Sequence, residues 1–219
     1  VEQRKVVPEI LDCLPPGDPA ALRSRRELRM INLLMGNWRW LSRELRDVLR
    51  PGVALVEIGA GDGSMARRHL PEWVHYRGVD RAMRPRDLPA SWTWEQRDVL
   101  EGGEFSGQLL VANLFLHHFC ARELQRLGSL VAGTVERMLF CEPYRHPVHL
   151  WQGRLLHLFG LSEVTRHDMR VSIAAGFRPG ELASLLALEK ETWQVVESRS
   201  LFGALRFRAD RRKRKTANE

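Results

Sequence analysis

Cysteine is scarce: the 219 residues contain three, Cys13, Cys120 and Cys141, with no CxxC spacing. This excludes a disulfide framework and a zinc ribbon, and it fits a reducing compartment. No stretch approaches the ~20 uninterrupted apolar residues that span a bilayer, and Val1-Glu2-Gln3-Arg4-Lys5 lacks the apolar run of a signal peptide. Internal repeats and low-complexity blocks are missing too. These absences predict a soluble, cytoplasmic protein without a membrane span. What remains is ordinary globular material, 44% apolar and 28% charged, enough for one compact domain and a short appendage.

The formal charge of +7 is unevenly placed. Residues 206–219 hold seven bases (Arg206, Arg208, Arg211, Arg212, Lys213, Arg214, Lys215) against Asp210 and Glu219, a local +5. A domain-wide basic face is therefore not supported. The basic end reads either as a solvated terminus or as a contact for nucleic acid or another anionic surface.

Residues 1–18 are rich in proline and charge, and Pro15-Pro16-Gly17-Asp18 breaks any regular element. Asp18 then suits an N-cap with Pro19 at the first helical position. Ala21, Leu28, Ile31 and Met35 recur at helical spacing, predicting a helix over 19–35. A second helix starts at Asn37, with Trp38, Leu41, Leu45 and Val48 on one face, and stops at Pro51-Gly52. From Val53 the pattern changes to short apolar runs at 53–58, 74–80, 91–97, 108–113, 135–141, 192–198 and 203–209. Helical patterns lie at 64–70, 121–132, 148–158 and 180–188. This alternation predicts a doubly wound, mostly parallel seven-stranded α/β sheet. The last two strands lack an intervening helix and should pair antiparallel across Ser200–Phe202. The chain thus divides into an N-terminal helical extension (1–50), a sheet domain (51–210) and a basic tail (211–219).

Gly59, Gly61 and Gly63 follow the first strand directly and open a helix, a turn whose bare backbone allows a ligand close approach. An acid about twenty residues on, at the end of the second strand, suits ribose hydroxyls, and Asp80 stands there. Glycines plus acid point to an adenosine-bearing cofactor, without separating a nicotinamide from S-adenosylmethionine.

Val56-Glu57-Ile58-Gly59-Ala60-Gly61-Asp62-Gly63 resembles the first motif of class I S-adenosylmethionine-dependent methyltransferases: an acid, an apolar residue, then GxGxG. Gln96-Arg97-Asp98-Val99-Leu100 resembles the motif after their third strand. Leu110 to Phe119 resembles the fourth-strand motif of the small-molecule, ubiquinone/menaquinone-like or O-methyltransferase group. The resemblance covers about residues 53–142 and implies a Rossmann-like sheet and S-adenosyl-L-methionine as cofactor. It implies that Gly59, Ala60 and Gly61 meet the methionine part and that Glu57 orients the turn or meets the amine. Asp80 would hold the ribose, Asp98 and Val99 the adenine, and Asn113 the amino-acid end. Arg81 departs from the usual apolar residue and either stacks on adenine or is solvated.

His117 and His118 follow the fourth strand, where the acceptor of such enzymes arrives. His117-His118-Phe119 resembles the His-Asp-Trp of plant-type O-methyltransferases, with His118 in place of the aspartate. Either histidine is a candidate base; a noncatalytic histidine bonded to backbone is the alternative. Glu142, Arg145 and His167 are acceptor-side candidates, against a Glu142–Arg145 salt bridge and a helix cap made by Asp168. Trp38, Trp40, Trp151 and Phe159 offer aromatic walls or plain core. No metal is expected: the zinc cysteine spacing is missing, as is the paired-aspartate arrangement of metal-dependent catechol methyltransferases. The implied activity is methylation of a small, largely apolar acceptor, at a phenolic or polyketide-like oxygen. Alternatives are carbon methylation of a quinone-like ring, RNA methylation using the basic tail, and a cofactor-binding module without turnover. Oligomeric state leaves no mark on the sequence.

Overall fold

The computed structural model describes residues 3–213, apart from 16, 103, 104, 106 and 156–159. Its centre is one seven-stranded sheet in the order β3-β2-β1-β4-β5-β7-β6. The strands are β1 (Ala54–Ile58), β2 (His75–Asp80), β3 (Thr93–Gln96), β4 (Leu109–Asn113), β5 (Arg137–Pro143), β6 (Trp193–Arg199) and β7 (Ala204–Arg211). β1 to β5 pair in parallel, while β7 is antiparallel to both β5 and β6. The expected α/β sheet and its closing hairpin are both present. The strand order reverses between β1 and β4, and in open sheets that switch point is where ligands bind.

Alternation along the central strands sorts the core into two layers. Val56, Ile58, Leu110, Ala112, Met138 and Phe140 face α5 (Ala121–Val131) and α8 (Glu181–Leu185). Leu55, Leu109, Val111, Leu139 and Cys141 face α3 (Asn37–Arg46) and α4 (Ser64–His69), meeting Trp38, Leu41, Leu45 and Met65. Burying each such large side chain contributes roughly 1.5–3 kcal/mol. α3 therefore covers the face that the six-residue α4 leaves bare.

α2 (Pro19–Met35) starts as the spacing predicts: Asp18 accepts the Ala20 amide at 2.7 Å, and Pro19 sits at the first turn. Gly36 ends it in the left-handed conformation, φ +71°, and turns the chain into α3. Two elements differ from expectation. A short helix, α1 (Ile10–Cys13), interrupts the N-terminal stretch, and α7 (Glu163–Ala175) fills a segment whose regular structure the apolar periodicity did not mark. α6 (Pro147–Leu155) begins where a helix was expected over 148–158, the end of which lies outside the described residues. Three of the seven terminal bases are part of the sheet. Arg206 donates to the Met35 carbonyl, Arg208 pairs with Glu44 at 3.1 Å, and Arg211 donates to the Val135 carbonyl.

α5 and α8 approach closely at Gly128, where an added Cβ would stand 2.0 Å from the Leu186 carbonyl oxygen. Gly128→Ala is expected to force the two helices apart at about 1–3 kcal/mol. Thermal unfolding should show a loss of several degrees; an unchanged midpoint would remove this contact as a packing constraint.

Candidate active site

A cavity of about 890 Å³ opens at the carboxyl ends of β1 and β4. One end is walled by Glu57, Gly59, Ala60, Gly61, Asp62, Ser64 and Met65; the other by Leu114, His117, His118, Met169, Ser172 and Ile173, while Asn113 at the end of β4 also lines it. α2 lies along it with Leu28, Ile31, Asn32 and Met35, so the wall between the two ends is mostly apolar.

The glycine loop is held from β2. The Gly59 amide donates to the Val79 carbonyl at 2.9 Å, and the Gly61 amide to Asp80 Oδ2 at 2.7 Å. Gly59 has φ +66°, and a Cβ there would fall 2.2 Å from the Phe115 ring. At Gly61, φ +57°, a Cβ would meet nothing, leaving bare main chain beside open space. Glu57 is buried beneath the loop and accepts the Tyr76 hydroxyl at 2.7 Å. Burial, with Asp80 and Asp62 adding negative charge, pushes its carboxyl up to about 8 despite that hydrogen bond. A buried acid in this condition gains from a cationic partner.

Asp80 ends β2, its Oδ1 accepting the Ala82 amide at 2.8 Å. Asp98 follows β3 and caps the short 3-10 turn Val99–Glu101 by accepting the Leu100 amide at 2.8 Å. Arg81 pairs with Asp98 and is mostly exposed. Val99 is buried in the core. These four lie beyond the cavity wall, along the strand ends that flank it.

The opposite end is built around one carboxylate. After β4 the chain passes through Leu114 at φ +54°, a conformation costly for a side-chain-bearing residue, and enters the 3-10 turn Leu116–His118. Glu142, fully buried on β5, accepts the amides of Phe115 (3.0 Å), Leu116 (2.8 Å) and His117 (3.2 Å) and also meets His117 Nδ1 at 2.8 Å. His117 Nε2 stands 3.5 Å from Glu9 Oε1, and the ring is 3% exposed. Burial disfavours its charged form, but Glu142 and Glu9 outweigh this and raise it to about 9. His118 lies beside it, with ring centroids 4.3 Å apart and the planes tilted by 34°, and keeps 30% of its side chain exposed. Burial and the His117 charge push His118 below the usual histidine range.

Glu9 reaches this site on an N-terminal strap that crosses α7. Arg4 donates to the carbonyls of Ala175, Phe119 and His117 at 2.6, 2.6 and 2.9 Å and packs on the Phe177 ring. The Lys5 amide donates to the Ala174 carbonyl. Asp168, inside α7, accepts the amides of Ile10 and Leu11 at 2.8 and 3.0 Å, so it caps α1 rather than its own helix. Neither Glu9 nor the strap carried a sequence signal. α7 carried one: Ser162 as N-cap and no glycine or proline through Ala175.

The structure brings Glu57, Gly59, Ala60, Gly61, Asn113, His117 and His118 to one cavity, with Asp80 and Glu142 bonded to its wall. Arg145 and His167 are elsewhere. Arg145 is buried, donates to the Gly176 carbonyl at 3.1 Å and pairs with Glu181, so the Glu142–Arg145 bridge is replaced by Glu142–His117. His167 is half-exposed beside Asp168 and away from the cavity lining. Trp38 lines the cavity, Trp40 is core, Trp151 is exposed, and Phe159 lies outside the described residues.

No protein-family model matches the sequence, and no curated protein matches it either. Solved structures match its fold. A plantazolicin methyltransferase, BamL, in complex with a triazolic desmethylPZN analog and SAH, superposes with TM-score 0.71 at 10% identity over 93% of both chains. Magnesium protoporphyrin IX methyltransferase (ChlM) from Synechocystis PCC 6803 with bound SAH gives 0.56 at 16%, covering 90% of this chain and 91% of that one. Human N-acetylserotonin methyltransferase in complex with SAM gives 0.55 at 15%, covering 92% and 61%. The chain has the fold of the class I S-adenosylmethionine-dependent methyltransferases.

Glu57 carries a pH signature. Its folded pKa of about 8 lies above the ordinary 4.5, so the folded state binds the extra proton and stability falls as pH rises from 4.5 through 8. Glu57→Gln should remove this slope, of order 3–5 kcal/mol, and gain on the native protein as pH rises. Parallel Tm–pH curves for the two proteins would refute the assignment.

Proposed function

We propose that the protein transfers a methyl group from S-adenosylmethionine to an oxygen of a small, largely apolar acceptor of phenolic or polyketide-like type. The observation that carries this is the single cavity joining the bare glycine loop after β1 to the histidine pair after β4. Its volume is near the top of the roughly 300–1,000 Å³ typical of ligand pockets, room for two small molecules side by side. When bound, S-adenosylmethionine supplies an electrophilic methyl group.

The residues fit that cofactor. Gly61 exposes main chain without a side chain, and Asp80, fixed by the Gly61 and Ala82 amides beside that loop, would hold the ribose. Glu57 offers a buried acid to the ammonium. Asn113, bonded to Asn37 at 3.1 Å, closes the amino-acid end. At the acceptor end the apolar wall excludes water, and the histidine pair offers the only titratable rings flanked by carboxylates among the described lining residues. His117 is locked by Glu142 and acts as a positioning residue. His118 keeps an accessible face and activates the acceptor hydroxyl. The anchoring of Arg206, Arg208 and Arg211 within the fold supports a small molecule over RNA as acceptor.

Calorimetry with S-adenosylmethionine tests the cofactor half: Asp80→Ala should weaken binding at least tenfold, and unchanged affinity removes the ribose role. For the acceptor half, His118→Ala should lower kcat on a phenolic acceptor by about 10²–10⁴ with cofactor affinity retained. Near-native turnover would clear His118 of that duty.

A further inference from the structure

We propose that Glu9, His117 and His118 form a binding site for one divalent transition-metal cation, of the zinc type, facing the acceptor end of the cavity. This deepens the reading of that end as the acceptor site and rests on it only for the role of the cation, not for its binding. The three residues each offer a ligand atom, and these atoms lie within 4.8 Å of one another. Two imidazoles and one carboxylate make a three-ligand set of the kind that leaves a coordination position open.

The one ligand separation on which the set turns has room for a cation. Glu9 Oε1 and His117 Nε2 are 3.5 Å apart, beyond the roughly 2.7–3.2 Å of an N–H···O bond. Two ligands on a tetrahedral zinc, with bonds of about 2.0–2.2 Å, are separated by roughly 3.3–3.5 Å. The outer partners agree as well. A metal-bound histidine ordinarily donates its other ring N–H to a carboxylate, which fixes the tautomer and aims the free nitrogen at the ion. Glu142 does this to His117 Nδ1 at 2.8 Å and is itself immobilised by three backbone amides. Ser172 donates to Glu9 Oε1 and orients that carboxylate. The spacing of the three ligands along the chain hides the set, because Glu9 joins it only through the strap. The expectation of no metal, drawn from missing cysteine and aspartate motifs, does not reach such an arrangement.

A bound cation would be held by His118 in place of that residue's action as base, and would supply Lewis-acid activation of the acceptor hydroxyl. The test uses the full-length protein, stripped with chelator, and Zn²⁺ or Co²⁺ alone, with no cofactor or acceptor. Calorimetry should show one equivalent of Zn²⁺ bound at micromolar Kd or tighter, and Co²⁺ should give the absorption of a four- or five-coordinate site without a thiolate band. Glu9→Gln and His118→Ala should each weaken binding at least tenfold, and Glu142→Gln by about 10–100-fold. His118 is partly exposed, so its variant keeps the test alive if a Glu142 variant fails to fold. Absence of saturable binding overturns the site. So does wild-type affinity in the Glu9 and His118 variants, or a cobalt–thiolate spectrum, which would assign the ion to Cys13 or Cys120. Either failure leaves the methyl-transfer reading standing, since that is judged by cofactor affinity and turnover.

Discussion

The acceptor end of the cavity depends on the buried carboxylate of Glu142. Four donors converge on it, three of them consecutive backbone amides of the turn after β4, and the fourth the ring of His117. A turn entered through a left-handed leucine is held only if its free amides find an acceptor, because buried unpaired donors cost about 1–3 kcal/mol each. The carboxylate thus fixes in one stroke where the chain goes after β4 and which way the His117 ring points. β5 supplies it because the parallel register sets Asn113 beside Cys141, one residue before Glu142.

The cofactor end is organised in the same manner from β2, which lies directly beside β1. Asp80 accepts from the glycine loop across the strand boundary, so the loop's shape is imposed by β2 rather than by its own residues. Glycine is needed there for geometry: one position would collide with Phe115 if it carried a side chain, and another must remain bare. The two ends meet at the switch point of the sheet, where neighbouring strands diverge and no helix crosses directly between them.

Much of the sheet, the glycine loop and the acid that follows it was legible in the sequence because these features are local. A short apolar run, a glycine turn and a strand-end carboxylate are all read within a few residues. The same locality marked α2 and α3. What escaped was long-range. Arg145 could be placed near Glu142 by sequence proximity, yet it bonds Glu181 while Glu142 turns to the 3-10 turn, a choice set by packing. Asp168 was legible as a capping residue but not as the cap of a helix at the other end of the chain. α7 has only scattered apolar positions because it packs between the strap, α2 and α6, presenting several narrow faces instead of one broad one. Arg206 and Arg208 fall within the run expected as the last strand, and Arg211, assigned to the tail, extends that strand by pairing beside Trp193.

The strap that brings Glu9 to His117 is tied by Arg4 to a carbonyl 171 positions away. Contacts of such separation are entropically the slowest to be repaid during folding. The wall they complete closes a long loop of chain, which makes it the natural place for partial opening. Amide exchange in residues 4–12 would then report on access to the interior chamber while the strands stay protected.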